Sequence, residues 1–317
     1  MNISDQIKNE ALNWGFDAVG ITDASAIGER DVESLAQWLR SGLAGQMEYM
    51  HRNFEKRTDP GMLLEGARSI ICLGMNYKPV QRGGSVTDRG RKFGQVARYA
   101  QYEDYHAFIK RQLRRLVDYI ESVVGGSFRF KLCVDSVPLA ERALAVRAGL
   151  GFIGKNHMLI NPELGPEVFL AEIVTDLELD ADKSMQGSCS GCEKCIKACP
   201  TGALRADGRF DASRCISYLT IEHKDAAVDE LATKIGDRLF GCDECVLVCP
   251  LQKDAPVCRN NEFKFYGDRE RLDLDEVLVM TDERFEREFG DSPLKRLGLE
   301  RFRRNARICM ENIQRQV

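Results

Sequence analysis

Apolar residues recur at helical spacing from the start of the chain. Ile7, Ala11, Leu12 and Trp14 share one side of a predicted helix at 4–15, with Ser4 as candidate N-cap and Gly15 as its stop. The run Ala18-Val-Gly-Ile-Thr22 predicts a strand, and a second helix is expected at about 29–41, ending at Gly42. A polar turn at Lys56–Pro60 precedes a strand within Ala67–Tyr77. Pro79, Gly83, Gly84, Gly90 and Gly94 mark 79–96 as a loop. From Arg98 to about Val124 the spacing of Ile109, Leu113, Leu116, Val117 and Ile120 predicts a helix with one buried stripe. Phe128–Val134 alternates as a strand does and delivers Asp135 and Ser136 at its end. A helix over Pro138–Ala148 and strands at about 157–161 and 167–175 follow, then a polar link at 180–187. Beyond Pro250, three helical segments rich in Arg and Glu are expected. The pattern divides the chain into an α/β or α+β domain at 1–180, a cysteine-rich domain at 181–258 and a short helical C-terminus at 259–317.

Composition narrows this little. A chain of 317 residues with 44% hydrophobic and 30% charged residues is that of an ordinary globular protein with room for two cores. Lys and Arg number 45 against 49 Asp and Glu, a net charge of −4, so nothing global argues for nucleic acid and only a local basic face remains open. The start Met1–Asp5 lacks the basic and apolar regions of a secretory signal, and there is no twin-arginine motif. No apolar run approaches the roughly 18–20 residues needed to span a bilayer. A cytoplasmic monomer without a membrane partner is expected.

The cysteines change the picture. Twelve in a reducing compartment favour metal ligation over disulfides. Cys189, Cys192, Cys195, Cys199 and Pro200 spell C-x2-C-x2-C-x3-C-P, and Cys242, Cys245, Cys249 and Pro250 spell C-x2-C-x3-C-P. This is the spacing of bacterial two-cluster ferredoxins, in which the last cysteine of one run serves the other cluster. Structural zinc favours paired C-x2-C knuckles without the further cysteine and proline. Two [4Fe-4S] clusters need eight thiolates, and the second run is one short because Leu239 stands where the repeat would place a cysteine. Cys215 lies between the runs and is the first candidate to fill the gap; Cys258 is the weaker one. The assignment is Cys189, Cys192, Cys195 and Cys249 on one cluster, and Cys199, Cys215, Cys242 and Cys245 on the other. Cys72, Cys133 and Cys309 have apolar neighbours and read as packed thiols.

A relay of this kind feeds chemistry elsewhere, in the N-terminal domain. Gly149-Leu-Gly-Phe-Ile-Gly154 matches G-x-G-x-x-G, but a helix precedes it and a strand follows, the reverse of a dinucleotide fingerprint. Its glycines are expected instead to let backbone approach a large flat ligand, with Lys155, Asn156 and His157 as polar contacts. Asp135, at the carboxyl end of a strand, is the candidate proton donor, burial raising its pKa. The plainer role for Asp135 is to cap the next helix or pair with Arg142, and Glu141 and Arg142 read as a surface pair. Arg82, Arg89, Arg91 and Lys92 make the 79–96 loop basic, either as a solvated loop or as a flap over an anion.

Taken together, Val134-Asp-Ser-Val-Pro-Leu-Ala-Glu-Arg142, Gly151-Phe-Ile-Gly-Lys-Asn156, Arg214-Cys-Ile-Ser217 and the cysteine pattern resemble the epoxyqueuosine reductases over nearly the whole chain. That family is cobalamin-dependent and reduces the epoxide of epoxyqueuosine at the tRNA wobble position, giving queuosine and water. The resemblance implies an N-terminal cobalamin-binding domain, with electrons passing from an unidentified donor through two [4Fe-4S] clusters to the corrinoid. It implies Asp135 as proton donor and places Arg57, Asp135, Lys155, Asn156, His157 and Ser217 in segments lining the corrinoid pocket. It also implies a splayed anticodon-loop nucleotide as substrate, with basic segments at 82–98 and Arg296 to Arg315 available for phosphates. The C-terminal segment reads equally as an amphipathic helix packed on the core. Ala97 stands where some relatives carry a cysteine, so no thiol contact to the corrinoid is expected. The chain stops soon after Pro293–Gly298, so contacts from the helical repeats of longer members are not expected. Two other classes fit parts of the pattern: a cobalamin-dependent reductive dehalogenase, which usually carries a twin-arginine signal, and a non-enzymatic electron-transfer protein, which leaves the first 180 or so residues unexplained.

Overall fold

The computed structural model describes residues 2–80, 90–225 and 229–315, so the basic positions Arg82 and Arg89 lie outside the described residues. Helix α1 spans Ile3–Asn13 and is capped by Asn2, whose side chain accepts from the Asp5 amide. Ser4, the expected cap, is instead buried within the helix, and its hydroxyl accepts from the Asp180 amide at 2.9 Å. Strand β1 is Ala18–Asp23, and α2 (Glu29–Arg40), α3 (Glu48–His51) and α4 (Phe54–Thr58) follow. Then come β2 (Ser69–Asn76), β3 (Phe93–Val96), α5 (Tyr105–Val124), β4 (Phe130–Cys133) and α6 (Glu141–Arg147). The hairpin β5 (Phe152–Ile153) and β6 (Leu159–Ile160) leads to β7 (Val168–Thr175).

The main sheet has the order β1-β2-β7-β4, and each neighbouring pair is antiparallel. The domain is therefore α+β rather than a parallel α/β sheet. Asp135 does lie just beyond the carboxyl end of β4, after Val134, but the ligand-placing rule of parallel α/β sheets does not apply to this antiparallel one. Both faces of the sheet are covered, which is why β2 reads as a nearly unbroken apolar run. On one face α5 buries Phe108, Ile109, Leu113, Leu116, Val117 and Ile120 against Ile71, Leu73, Ala171 and Ile173. Each such side chain contributes about 1.5–3 kcal/mol. On the other, α6 packs Leu144, Ala145 and Ala148 against Ile70, Cys72, Cys133 and Val174.

The cysteine section holds α7 (Lys194–Ala198), α8 (Ile216–Ile221), α9 (Asp229–Ile235), β8 (Arg238–Phe240), α10 (Glu244–Leu247) and α11 (Pro250–Lys253). Strand β9 (Arg271–Asp273) and helices α12 (Leu274–Val279), α13 (Asp282–Phe289) and α14 (Leu299–Arg315) end the described chain. The end of the loop expected at 79–96 is strand β3, which pairs parallel with β8 and antiparallel with β9. Leu239, in the place of the missing cysteine, is fully buried with Phe240, Phe285, Phe289 and Phe302 in the core that this small sheet shares with the C-terminal helices. Of the two readings of the C-terminal segment, the packed helix is the one observed. Helix α14 buries Phe302, Asn305, Ala306 and Cys309. Arg301 and Arg304 on it donate to the carbonyls of Ile221 and Leu219.

Candidate active site and cluster centres

Asp135 follows β4 after Val134 and has a left-handed backbone (φ 50°). Asp tolerates that region better than most residues, but the conformation still needs support. Support comes from Glu141 at the start of α6, whose Oε1 accepts from the Asp135 amide at 2.7 Å. The Asp135 carboxylate is as firmly held. Its Oδ2 accepts from the Tyr105 hydroxyl at 3.0 Å, lies 3.0 Å from His106 Nε2, and lies 3.5 Å from Arg296 Nη1. Asp104, the N-cap of α5, closes the other side of His106, its Oδ1 lying 2.7 Å from Nδ1.

The electrostatics differ from the expectation of an acid raised by burial. Burial does push the Asp135 carboxyl up, but the His106 hydrogen bond and charge, the Tyr105 hydroxyl and Arg296 outweigh it and hold the group below its ordinary value. The raised carboxyls lie behind it. Burial, and then the Asp135 charge, push Glu141 up to about 8. Glu172, fully buried in the middle of β7 opposite Cys72 and Cys133, is raised well above the usual range by burial and by Glu141. Glu141 is half-buried and turned to the Asp135 amide rather than to Arg142, which is exposed, so the two do not form the expected pair. Arg142 donates to the His157 carbonyl and not to Asp135.

The other expected residues surround this point unevenly. Arg57, on α4, has Tyr49, Glu141 and Asp135 beside it. Its Nε is buried without a hydrogen-bond partner. Lys155 and His157 line a cleft of about 440 Å³ with Gly154, Ser188, Cys189 and Arg205, a lining that does not include Asp135. His157 is left-handed (φ 59°), and burial followed by the Arg142 charge lowers its pKa. Asn156 is buried and its side chain donates to the Cys245 carbonyl at 3.3 Å. Ser217 sits on α8 beside the Cys215 thiol. Ala97 is buried, its Cβ set against Gly241 (φ +72°).

The thiols fall into two groups. Cys189, Cys192, Cys195 and Cys249 line one cavity of about 200 Å³ with Phe152, Ile160, Pro250 and Leu251. Among the described residues no three His, Cys, Asp or Glu side chains close on the position of a single ion. The Lys155 amide donates to Cys189 Sγ at 3.3 Å, a contact of the kind that tunes cluster potential. In the second group, burial raises the Cys245 thiol and the neighbouring Cys215, Cys242 and Cys199 add to the effect. Cys258 lies apart, packed on the first core with Tyr102 and Asp17 around it.

Sequence reasoning missed the parts that Tyr105, His106, Arg296, Glu141 and Glu172 play around Asp135. The signal available was Asp104-Tyr-His106 itself, a cap followed by two polar aromatics at the start of a helix. The glycines of 149–154 also allow close packing within the chain. A Cβ on Gly151 would stand 2.3 Å from the Ile160 carbonyl oxygen, and one on Gly154 would stand 2.3 Å from Ile160 Cδ1.

Residues 57–136 match a family model described as epoxyqueuosine reductase QueG, DUF1730, and residues 188–252 match a 4Fe-4S double cluster binding domain. The epoxyqueuosine reductase of Cyclobacterium marinum is 40% identical, covering 94% of this chain and 94% of its own. That of Pseudomonas aeruginosa is 38% identical over 98% of this chain and 85% of its own. A crystal structure of an epoxyqueuosine reductase with an epoxyqueuosine-modified stem loop of tyrosine tRNA is similar with a TM-score of 0.92 and 32% identity, covering 99% of this chain and 83% of that one. Among the described residues no helix is long and apolar enough to cross a membrane. The chain belongs to the epoxyqueuosine reductase family.

Proposed function

We propose that this protein reduces epoxyqueuosine to queuosine in the anticodon loop of tRNA, in the cytoplasm, with electrons from a separate donor, and that Asp135 hands a proton to the epoxide oxygen. The observation that carries the assignment of Asp135 is its carboxylate, fixed by three donors from two distant parts of the chain and by a backbone contact to Glu141. In this reading residues 1–180 hold cobalamin, 181–258 hold two [4Fe-4S] clusters on the cysteine sets given above, and 259–317 brace the cluster domain.

The residues present suit a corrinoid. Arg57 Nε is a buried donor without a partner beside the site, and a ligand ringed by amide groups offers it an acceptor. Arg57, Lys155, Asn156, His157 and Ser217 would hold the group, Asn156 and Ser217 from the side of the second cysteine set. When bound, the corrinoid supplies a low-potential metal centre for the reduction. The chain's own task is the proton. Tyr105, His106 and Arg296 fix the direction of Asp135 Oδ2, and Glu141 fixes the backbone that carries it. A nucleotide presented to Oδ2 meets a group positioned to protonate the oxygen as its C–O bond breaks, a contribution worth roughly 10²–10⁴-fold in rate.

The test is turnover. Anaerobically purified protein, reconstituted with iron, sulfide and cobalamin and given a chemical reductant, should convert epoxyqueuosine to queuosine in tRNA, read by nucleoside mass spectrometry. No queuosine from protein carrying both clusters and corrinoid would overturn the proposal.

A further inference from the structure

Opening an epoxide to an alkene takes two electrons and two protons and releases one water. Both C–O bonds break, the electron pair ends in the C=C bond, and the oxygen leaves with both protons. Asp135, held ionised by its neighbours, has no proton of its own to give at rest. The source must be close to Oδ2, already loaded, and able to refill.

His106 meets those conditions. Its Nε2 lies 3.0 Å from Asp135 Oδ2 and its Nδ1 lies 2.7 Å from Asp104 Oδ1. A carboxylate at each ring nitrogen is satisfied only when both nitrogens carry a hydrogen, so the arrangement selects the imidazolium. The ring cannot turn away easily. It stacks on Tyr105 with centroids 4.1 Å apart, and Asp104 Oδ1 also accepts from the His106 amide at 2.9 Å.

We propose that His106 is the proton store of this site: its Nε2 proton passes to Asp135 Oδ2 and from Oδ2 to the oxygen of the first C–O bond to break, which returns Asp135 to the carboxylate. The second proton comes from solvent water as the hydroxyl departs, and solvent reloads His106 between turnovers. The inference rests on the proposed reduction and assigns His106 as a positioning residue acting through Asp135. Burial disfavours the charged ring, but the Asp104 and Asp135 hydrogen bonds and charges prevail and raise His106 to about 9. The groups facing it are Asp104 and Tyr105 on its own helix, Asp135 after β4, Arg296 after α13, and Glu141 on α6. The imidazolium is present below that pKa and lost as pH rises through it, so turnover should fall above about pH 9.

The experiment is the pH profile of kcat at saturating epoxyqueuosine tRNA for the reconstituted wild type, His106→Gln and Asp104→Asn, each matched for iron and corrinoid content. His106→Gln should lower kcat about 10²-fold, leave KM within about twofold, and abolish the alkaline fall. Asp104→Asn keeps the helix cap and the ring but removes one carboxylate, so its alkaline fall should move to lower pH. Wild-type kcat in His106→Gln, or the wild-type alkaline fall in either variant, overturns the inference while leaving the proposed reduction standing. If His106→Gln does not fold, the position of the fall in Asp104→Asn decides alone. A wild type that forms no queuosine overturns the reduction and this inference together.

Discussion

A carboxylate accepting from a phenol, an imidazole and a guanidinium is ionised at rest, so in the proposed reaction Asp135 would be a conduit that takes up a proton before passing it on. Asp135→Asn keeps the shape and loses the capacity to exchange that proton. Turnover should fall by roughly 10²–10⁴-fold with iron and corrinoid content unchanged; normal conversion of epoxyqueuosine tRNA would remove Asp135 from the mechanism. The glutamates behind it give a stability signature. Glu172 and Glu141 have folded-state pKa values raised above the ordinary 4.5, in Glu141 to about 8. Their stabilising effect is whole below the unfolded-state value and is lost as pH rises through the folded one. Wild-type stability should therefore decline between pH 5 and 8, and Glu172→Gln should flatten that decline, read from urea midpoints at the two pH values. An unchanged slope would mean that the Glu172 carboxyl titrates normally. Asp135 was legible in the sequence because it stands between a strand and a helix. Its partners were not, since Tyr105 and Arg296 lie 30 and 161 positions away and only the folded chain brings them to one oxygen.

Elements with a single buried stripe were read within a few residues. Helix α5, expected from Arg98 to about Val124, runs Tyr105–Val124 after a short 3-10 turn at Arg98–Gln101. Short elements that depend on distant partners were not. Strand β3 has only four residues, one of them a glycine pressed against Leu239 and Leu274, and it exists because β8 and β9 flank it. The antiparallel order of the main sheet was equally hidden, since strand patterns alone do not give direction. The cysteine turns were the most legible, because cluster spacing is local chemistry. Cys215 is the test of that reading. It is the N-cap of α8, and its neighbours are Cys199, Cys242 and Cys245 rather than Cys258. Cys215→Ala should hold about four irons per chain instead of about eight. A full complement would hand the eighth position to Cys258.

At the scale of the molecule, the C-terminal helix governs the second cysteine set. Helix α8 starts just after its cap Cys215, and its last carbonyls are taken by α14: Leu219 by Arg304, Thr220 by Asn305 and Ile221 by Arg301. Asn305, almost fully buried, also donates to the Leu239 carbonyl at 3.0 Å, tying in β8, the strand that leads to Cys242. The Gly241 amide in turn donates to Thr220 Oγ1 at 2.9 Å. One amide side chain thus joins the segment bearing Cys215 to the segment bearing Cys242, while Cys189, Cys192 and Cys195 lie outside both segments. Asn305→Leu fills the space but leaves two buried carbonyls each short of a donor, a cost of about 1–3 kcal/mol apiece. Loss of that tie should loosen one cluster and spare the other. Iron transfer to an external chelator should become biphasic in the variant, about half the iron leaving faster than in the wild type and the rest at the wild-type rate, as expected for two separate [4Fe-4S] centres. Uniform acceleration of all the iron would show that both clusters depend on α14, and an unchanged rate would show that neither does.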